Sequence, residues 1–273
     1  MAGLATVRGT PGYRPRDMLR RMADVTPPHD FYYQDPAIVD AYAGHHDLLP
    51  GEEALFSTYI GPGKRVLDLG IGAGRTTRFL APAAKRYVGL DYAERMVRRA
   101  RERFPDLDLD VGDAADLSRY GDASFDSVVF SFNGLGVLPT DARRRQCLRE
   151  VARVLPRGGT FVFSLHHSRY LAYVPTYEGA GPLRAAWRTL YATLQTVKQL
   201  RARLPSRAFW TGAGYVTDTL QTGSPAVYAC RPEDVAREVG AAGFDVEVVD
   251  RRASGNHRSA LLTAYIYYAC RKR

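Results

Sequence analysis

Cysteine is scarce in this chain of 273 residues. Cys147, Cys230 and Cys270 are the only three, far apart and at no metal-ligand spacing. That excludes a disulfide framework and the thiolate metal classes, and it fits a reducing, cytoplasmic setting. Long apolar runs are missing as well, so no segment reads as a membrane span and no membrane partner is expected. Residues 1–26 hold arginines mixed with glycine and proline rather than the apolar core of a secretory leader. Neither a nucleophilic triad nor a metal constellation is evident. Acids vanish locally: from Gly179 to Thr217 there is none, against the six bases Arg184, Arg188, Lys198, Arg201, Arg203 and Arg207.

The formal charge is +9. Its arginines are spread along the chain, apart from an N-terminal group (Arg8, Arg14, Arg16, Arg20, Arg21) and the acid-free stretch. That spread describes a basic surface better than a nucleic-acid groove, so nucleic acid is not the expected partner.

Residues 1–28 carry turn formers without an apolar period and read as a mobile basic arm. The remainder, 29–273, reads as a single domain. Two short helices (36–49, 52–60) precede alternating elements: strand 65–69, helix 74–82, strand 86–90, helix 93–103, strand 108–111, strand 126–131, helix 141–154 and strand 160–165. Alternation of this kind predicts a doubly wound α/β sheet, mostly parallel, with helices on both faces. At the end, helix 232–242 leads to strands 245–250 and 260–269. Nine residues between those two strands cannot hold a crossover helix, so the last strand should run antiparallel or insert beside an earlier one.

Residues 168–231 interrupt this scheme. Within them, 182–204 fits an amphipathic helix with Leu183, Trp187, Leu190, Leu194, Val197, Leu200 and Leu204 on one face. An insertion at the carboxyl edge of an α/β sheet is expected to be a substrate lid, with a homodimer helix as the alternative.

The most informative stretch is Val66-Leu67-Asp68-Leu69-Gly70-Ile71-Gly72-Ala73-Gly74. A strand runs into glycines at alternate positions and then a helix, so the backbone turns tightly and presents bare amides to a ligand. Asp91 closes the next strand, placed to accept hydrogen bonds from ribose hydroxyls. This predicts a nucleotide-type cofactor. A dinucleotide fingerprint would want its third glycine where Arg75 stands.

The spacing instead resembles the first motif of the class I S-adenosylmethionine (SAM) methyltransferases, and three further motifs follow in family order. They are Asp91-Tyr92, Gly112-Asp113-Ala114, and Ser124-Phe125-Asp126 with Leu148–Gly159 leading strands four and five. The resemblance, from about residue 30 to the end, implies a seven-stranded Rossmann-like sheet with an antiparallel last strand, and SAM as cofactor. It implies that Asp68, Gly70, Gly72 and Gly74 surround the aminoacyl part, Asp91 the ribose, and Asp113 with Ala114 the adenine. Tyr92 and Met96 would sandwich the purine, Ser131 would close strand four, and Tyr33, with Tyr42 near it, would close over the methionine part. Acceptor chemistry is expected at the ends of strands four and five, with Asn133 orienting and His166 or His167 as general base. The expected activity is methylation at O, N or C of a small aromatic or polycyclic molecule. An RNA or protein methyltransferase using the basic surface, or a SAM-binding protein promoting another reaction, are the alternatives.

Overall fold

Five short segments form the main parallel part of the sheet. In this computed structural model, which describes residues 32–170, 182–217, 226–250 and 264–273, they are β1 (Arg65–Leu69), β2 (Arg86–Asp91), β3 (Asp108–Val111), β4 (Ser127–Phe130) and β5 (Thr160–His167). The expected arm, 1–28, lies outside the described residues. The strands pair in the order β3-β2-β1-β4-β5, all parallel. Val66, Leu67, Leu69, Val128 and Val129 are fully buried, as strands covered on both faces require.

Helices α1 (Pro36–Ala43) and α2 (Pro50–Leu55, continued by a π turn over Phe56–Ile60) precede β1. Asp35 caps α1 through the Ala37 amide, and Pro36 opens it. The short α3 (Thr77–Leu80) follows the glycine turn, α4 (Glu94–Arg103) links β2 to β3, and α5 (Gly134–Val137) with α6 (Asp141–Val154) links β4 to β5. Helix α6 starts at Thr140, whose hydroxyl accepts the Arg143 amide, and it buries Cys147, Leu148, Val151 and Val154. All three cysteines are buried and free, and burial pushes each thiol well up, so none is a ready nucleophile.

Beyond β5 come α7 (Pro182–Arg203), α8 (Arg207–Thr211), β6 (Ala213–Thr217), β7 (Ala226–Cys230), α9 (Pro232–Ala241), β8 (Phe244–Asp250) and β9 (Tyr265–Lys272). Strand β9 runs antiparallel between β8 and β5, pairing Thr160 with Arg271 and His166 with Tyr265. The expected antiparallel last strand is thus present, inserted beside β5.

Two further strands were not expected. β6 and β7 pair antiparallel, and β7 joins β5 in parallel at His166–Ala229 and His167–Cys230. Because β9 already holds one edge of β5, β7 takes the edge that β4 vacates after Phe130. Among the described residues the sheet therefore has nine strands, the seven of the expected plan plus a pair from the insertion. It also follows that His166 and His167 lie within β5, not in a loop after it.

Helix α7 begins and ends close to expectation. The side packed on the domain carries Ala192, Gln195, Gln199 and Arg203, all buried. Arg203 donates to the His167 carbonyl (2.8 Å) and to Gln199 (2.9 Å), tying α7 to the carboxyl end of β5. Trp187, Leu190, Leu194 and Val197 face outward.

Candidate active site

The turn after β1 is shaped by its glycines. Gly70 (φ +65°) and Gly72 (φ +54°) sit in the left-handed region that side chains avoid. A Cβ on Gly70 would lie 2.8 Å from the Phe130 ring, whereas one on Gly72 would meet only Tyr42 at 3.8 Å. Gly72 therefore presents bare main chain to open space. Gly74 (φ +88°) is left-handed too, and a Cβ there would strike the Phe104 ring at 2.7 Å, so its smallness also serves packing.

Asp91, at the end of β2, braces this turn. One carboxylate oxygen accepts the Gly72 amide (2.8 Å) and the other the Ala93 amide (2.9 Å) at the head of α4. Burial pushes its carboxyl up to about 6, with those amides and that of Tyr92 pulling the other way. Asp68 lies beneath the turn, 1% exposed, accepting from the Thr76 hydroxyl (2.7 Å) and the Tyr87 phenol (2.8 Å). Burial pushes it up to about 7.

Both acids thus hold their protons more tightly folded than unfolded, where the ordinary value is about 3.9. With more protons bound in the folded state over that window, ligand-free stability should fall as pH rises from about 4 to about 7, by roughly 1.4 kcal/mol per pH unit for each group in its range. Urea titrations across that window should show the decline, and Asp68→Asn should flatten its upper part. A stability that climbs steadily from pH 4 to 7 in both proteins would contradict this placement.

A cavity of about 400 Å³ opens above the turn. Gly70, Gly72, Asp91, Tyr92 and Met96 form one side, and Asp113 with Ala114 form an end. Asp113 accepts the Ala115 amide (2.7 Å) and pairs with the Arg143 guanidinium from α6. Ser131 and Phe132 line the β4 side, and the rings of Tyr33 and Tyr42 complete an aromatic side. The Tyr33 ring sits edge-on to Tyr42 (5.9 Å) and Tyr92 (6.1 Å). Burial and the neighbouring phenols raise its pKa well above the usual tyrosine value, so it remains a neutral hydroxyl. All the cofactor residues expected from sequence line this cavity except Asp68 and Gly74.

Sequence reasoning missed a buried charge cluster in the cavity wall. Glu52, fully buried on α2, receives both terminal nitrogens of Arg75 (2.5 Å each), the Ser131 hydroxyl, the Tyr267 phenol (2.9 Å) and the Leu49 amide (2.7 Å). Arg75 also donates to the Asp47 carbonyl (3.2 Å) and stands 5.1 Å over the Phe132 ring. Burial alone would raise the Glu52 carboxyl, but the Arg75 guanidinium together with the Ser131 hydroxyl and Leu49 amide holds the acid below its ordinary value. The one available signal was Arg75 itself, a charged residue directly after a glycine turn.

The residues expected to act on the acceptor lie one layer back. Asn133, left-handed at φ +67°, donates its amide to Ser164 (2.8 Å), and its side-chain oxygen accepts the His166 amide (3.2 Å). The His166 ring packs 4.4 Å from Tyr265, which stacks on Phe132 at 5.6 Å. His167 Nδ1 accepts the Arg169 amide (3.0 Å). All three are buried, and none is among the described residues lining the cavity. His45 is exposed and lies against two lining rings, Tyr42 (5.9 Å) and Phe132 (6.4 Å). Among the described residues no cluster of three or more histidines, cysteines and acids could hold a metal, and no helix is long and apolar enough to cross a membrane.

A parallel sheet with an inserted antiparallel strand, a glycine turn and acids ending the next two strands define the class I methyltransferase fold. Residues 66–159 match the family described as a methyltransferase domain, and the fold is that of the class I, SAM-dependent methyltransferases. A demethylmenaquinone methyltransferase of Beutenbergia cavernae is 40% identical over 101 residues, 37% of this chain and 40% of that protein. The chain thus spans about two-fifths of that relative's length. Among solved structures, 1,6-didemethyltoxoflavin-N1-methyltransferase of Burkholderia thailandensis, with 1,6-didemethyltoxoflavin and S-adenosylhomocysteine bound, superposes with a TM-score of 0.58. It is 15% identical, with 97% of this chain and 93% of that one covered. The CcbJ methyltransferase of Streptomyces caelestis gives 0.59 at 19% identity, covering 88% and 97%. At those identities the likeness is one of fold.

The cavity fits SAM, the cofactor of this domain class. Bare backbone at Gly72, a carboxylate for a diol at Asp91 and an acceptor for an amino group at Asp113 are the donor and acceptor set that an adenosyl group needs. Arg75 keeps donors beyond those given to Glu52, suited to a ligand carboxylate.

Proposed function

We propose that the chain transfers the methyl group of SAM to a small, ring-containing acceptor held at the aromatic side of this cavity. The observation that carries the reading is the continuity of one cavity. It joins the Gly72–Asp91–Asp113 wall to the rings of Tyr33, Tyr42 and Phe132, so cofactor and acceptor would share a single enclosed space. Bound SAM supplies an electrophilic methyl on a sulfonium that leaves as a neutral thioether.

The protein's share of the work is alignment and exclusion of water. Asp91 and Asp113 fix the nucleoside end, while Tyr33 and Tyr42 line the aromatic side. Neutral Tyr33 can donate a hydrogen bond but cannot take a proton. Of the histidines, His45 touches the rings of that side, and we assign it any proton acceptance from the acceptor. His166, His167 and Asn133 then act as positioning residues, holding the Tyr265–Phe132 stack and the end of β5.

Methyl-deuterated SAM incubated with the protein and a set of phenols, quinols and heteroaromatic amines should yield a labelled small molecule and S-adenosylhomocysteine. Methyl transfer should depend only weakly on salt, since a small acceptor releases few counterions. His45→Ala should alter the pH profile of turnover, whereas His166→Ala should alter the acceptor KM. Label appearing on RNA or protein instead, with a steep salt dependence, would move the assignment to a macromolecular substrate.

A further inference from the structure

Helix α7 is turned inside out for a soluble domain. Its packed side is polar, with Gln195, Gln199 and Arg203 buried, and its outer side carries Trp187 (72% exposed), Leu190, Leu194 (54%) and Val197. Large apolar side chains left outward along successive turns mark a surface that another body covers. Trp210, on α8, adds a second protruding indole at 68% exposure, with its Nε1 held by the Leu204 carbonyl (2.8 Å).

Charge identifies the covering body. Lys198 and Arg201 are exposed at helical spacing from Leu194 and Val197, Arg207 is exposed at the start of α8, and no acid occurs anywhere between Gly179 and Thr217. The partner must therefore offer an apolar interior and negative charge together. Pairing two copies through this face would bring Lys198 and Arg201 of each against the other with no acid of the segment to neutralise them. An anionic lipid surface meets both demands. A helix with tryptophan and leucine on one side and bases around them lies in the headgroup layer, with its apolar chains in the acyl boundary.

We propose that the outer face of α7, with Trp210, docks this protein peripherally on anionic lipid membranes. Arg203 fixes α7 to the His167 carbonyl at the carboxyl end of β5, the same edge of the sheet as the cavity, so docking would bring that edge toward the lipid. The inference does not depend on methyl transfer.

The chain has two tryptophans, Trp187 on this face and Trp210 tied to the end of α7 through the Leu204 carbonyl, so emission excited selectively from tryptophan reports on these two positions alone. The full-length protein is mixed with phosphatidylcholine vesicles, with or without phosphatidylglycerol, and followed by co-sedimentation and emission. Binding with a blue shift is expected on the anionic vesicles and not on the neutral ones. Leu190→Ser with Leu194→Ser should weaken partitioning at least roughly tenfold. Lys198→Gln and Arg201→Gln should each weaken it about fivefold, the fold-change given by about 1 kcal/mol per base near an anionic surface. SAM affinity and thermal stability should be unchanged in all of them, because these side chains are outside the core and the cavity. No partitioning onto anionic vesicles, or equal partitioning by the variants, would overturn the proposal. So would a lipid-free dimer in sedimentation whose formation shifts the emission and is lost in the leucine variant, which would identify a second copy as the occupant.

Discussion

Replacing Glu52 with alanine should lower the unfolding free energy by roughly 3–5 kcal/mol, the range for removing one partner of a buried ion pair. The loss comes from what remains. Arg75 keeps its charge with its side chain only 13% exposed, and the hydroxyls of Ser131 and Tyr267 lose their shared acceptor. Those groups belong to four separate elements, α2, the turn after β1, the end of β4 and β9. The damage should therefore appear as cooperative destabilisation of the whole domain. Glu52→Gln keeps one acceptor oxygen and the shape, so its cost should be smaller, and Tyr267→Phe should cost about 0.5–1.5 kcal/mol. Urea melts of the three variants test the ordering. A Glu52→Ala protein as stable as the parent would mean that the pair does not exist in solution.

Asp91→Ala should weaken SAM binding by roughly 1.5–3 kcal/mol, on the order of ten- to a hundredfold, because a charged acceptor leaves a buried site and the Gly72 amide loses its brace. The pH dependence makes this sharper. With its carboxyl pushed up to about 6 in the free protein, Asp91 is ionised above that pH and increasingly neutral below it. A ligand that donates to the carboxylate favours the ionised form, so affinity should hold between pH 7 and 8 and fall as pH drops through about 6. Calorimetry from pH 5 to 8 should show that fall in the parent and a flat profile in Asp91→Ala. Equal affinities in the two proteins at pH 7.5 would remove Asp91 from the cofactor site.

Much of this site is local in sequence and so could be read there. The glycine turn, Asp91 and Asp113 each follow closely on a strand, and the short link before the last strand left antiparallel pairing or insertion beside an earlier strand as the expectations. What escaped reading depends on distant partners. Glu52 sits in Pro-Gly-Glu-Glu, which looks like an ordinary solvated helix start, and only the fold brings Arg75 to it. Strands β6 and β7, Ala-Gly-Tyr-Val-Thr and Ala-Val-Tyr-Ala-Cys, are too short and too rich in small residues to announce themselves. The pairing of β7 with β5 turned two supposed loop histidines into strand residues. The apolar stripe of α7 was visible as a period, but period alone does not say whether a face looks in or out.

The most direct measurement of the central claim is a crystal structure of the protein grown with S-adenosylhomocysteine. The expected result is density in the cavity with the ribose hydroxyls on Asp91, the adenine edge at Asp113 and Ala114, the amino-acid end toward Arg75 and the sulfur facing Tyr33, Tyr42 and Phe132. Density for the nucleoside elsewhere on the sheet, or an empty cavity at saturating ligand, would contradict it.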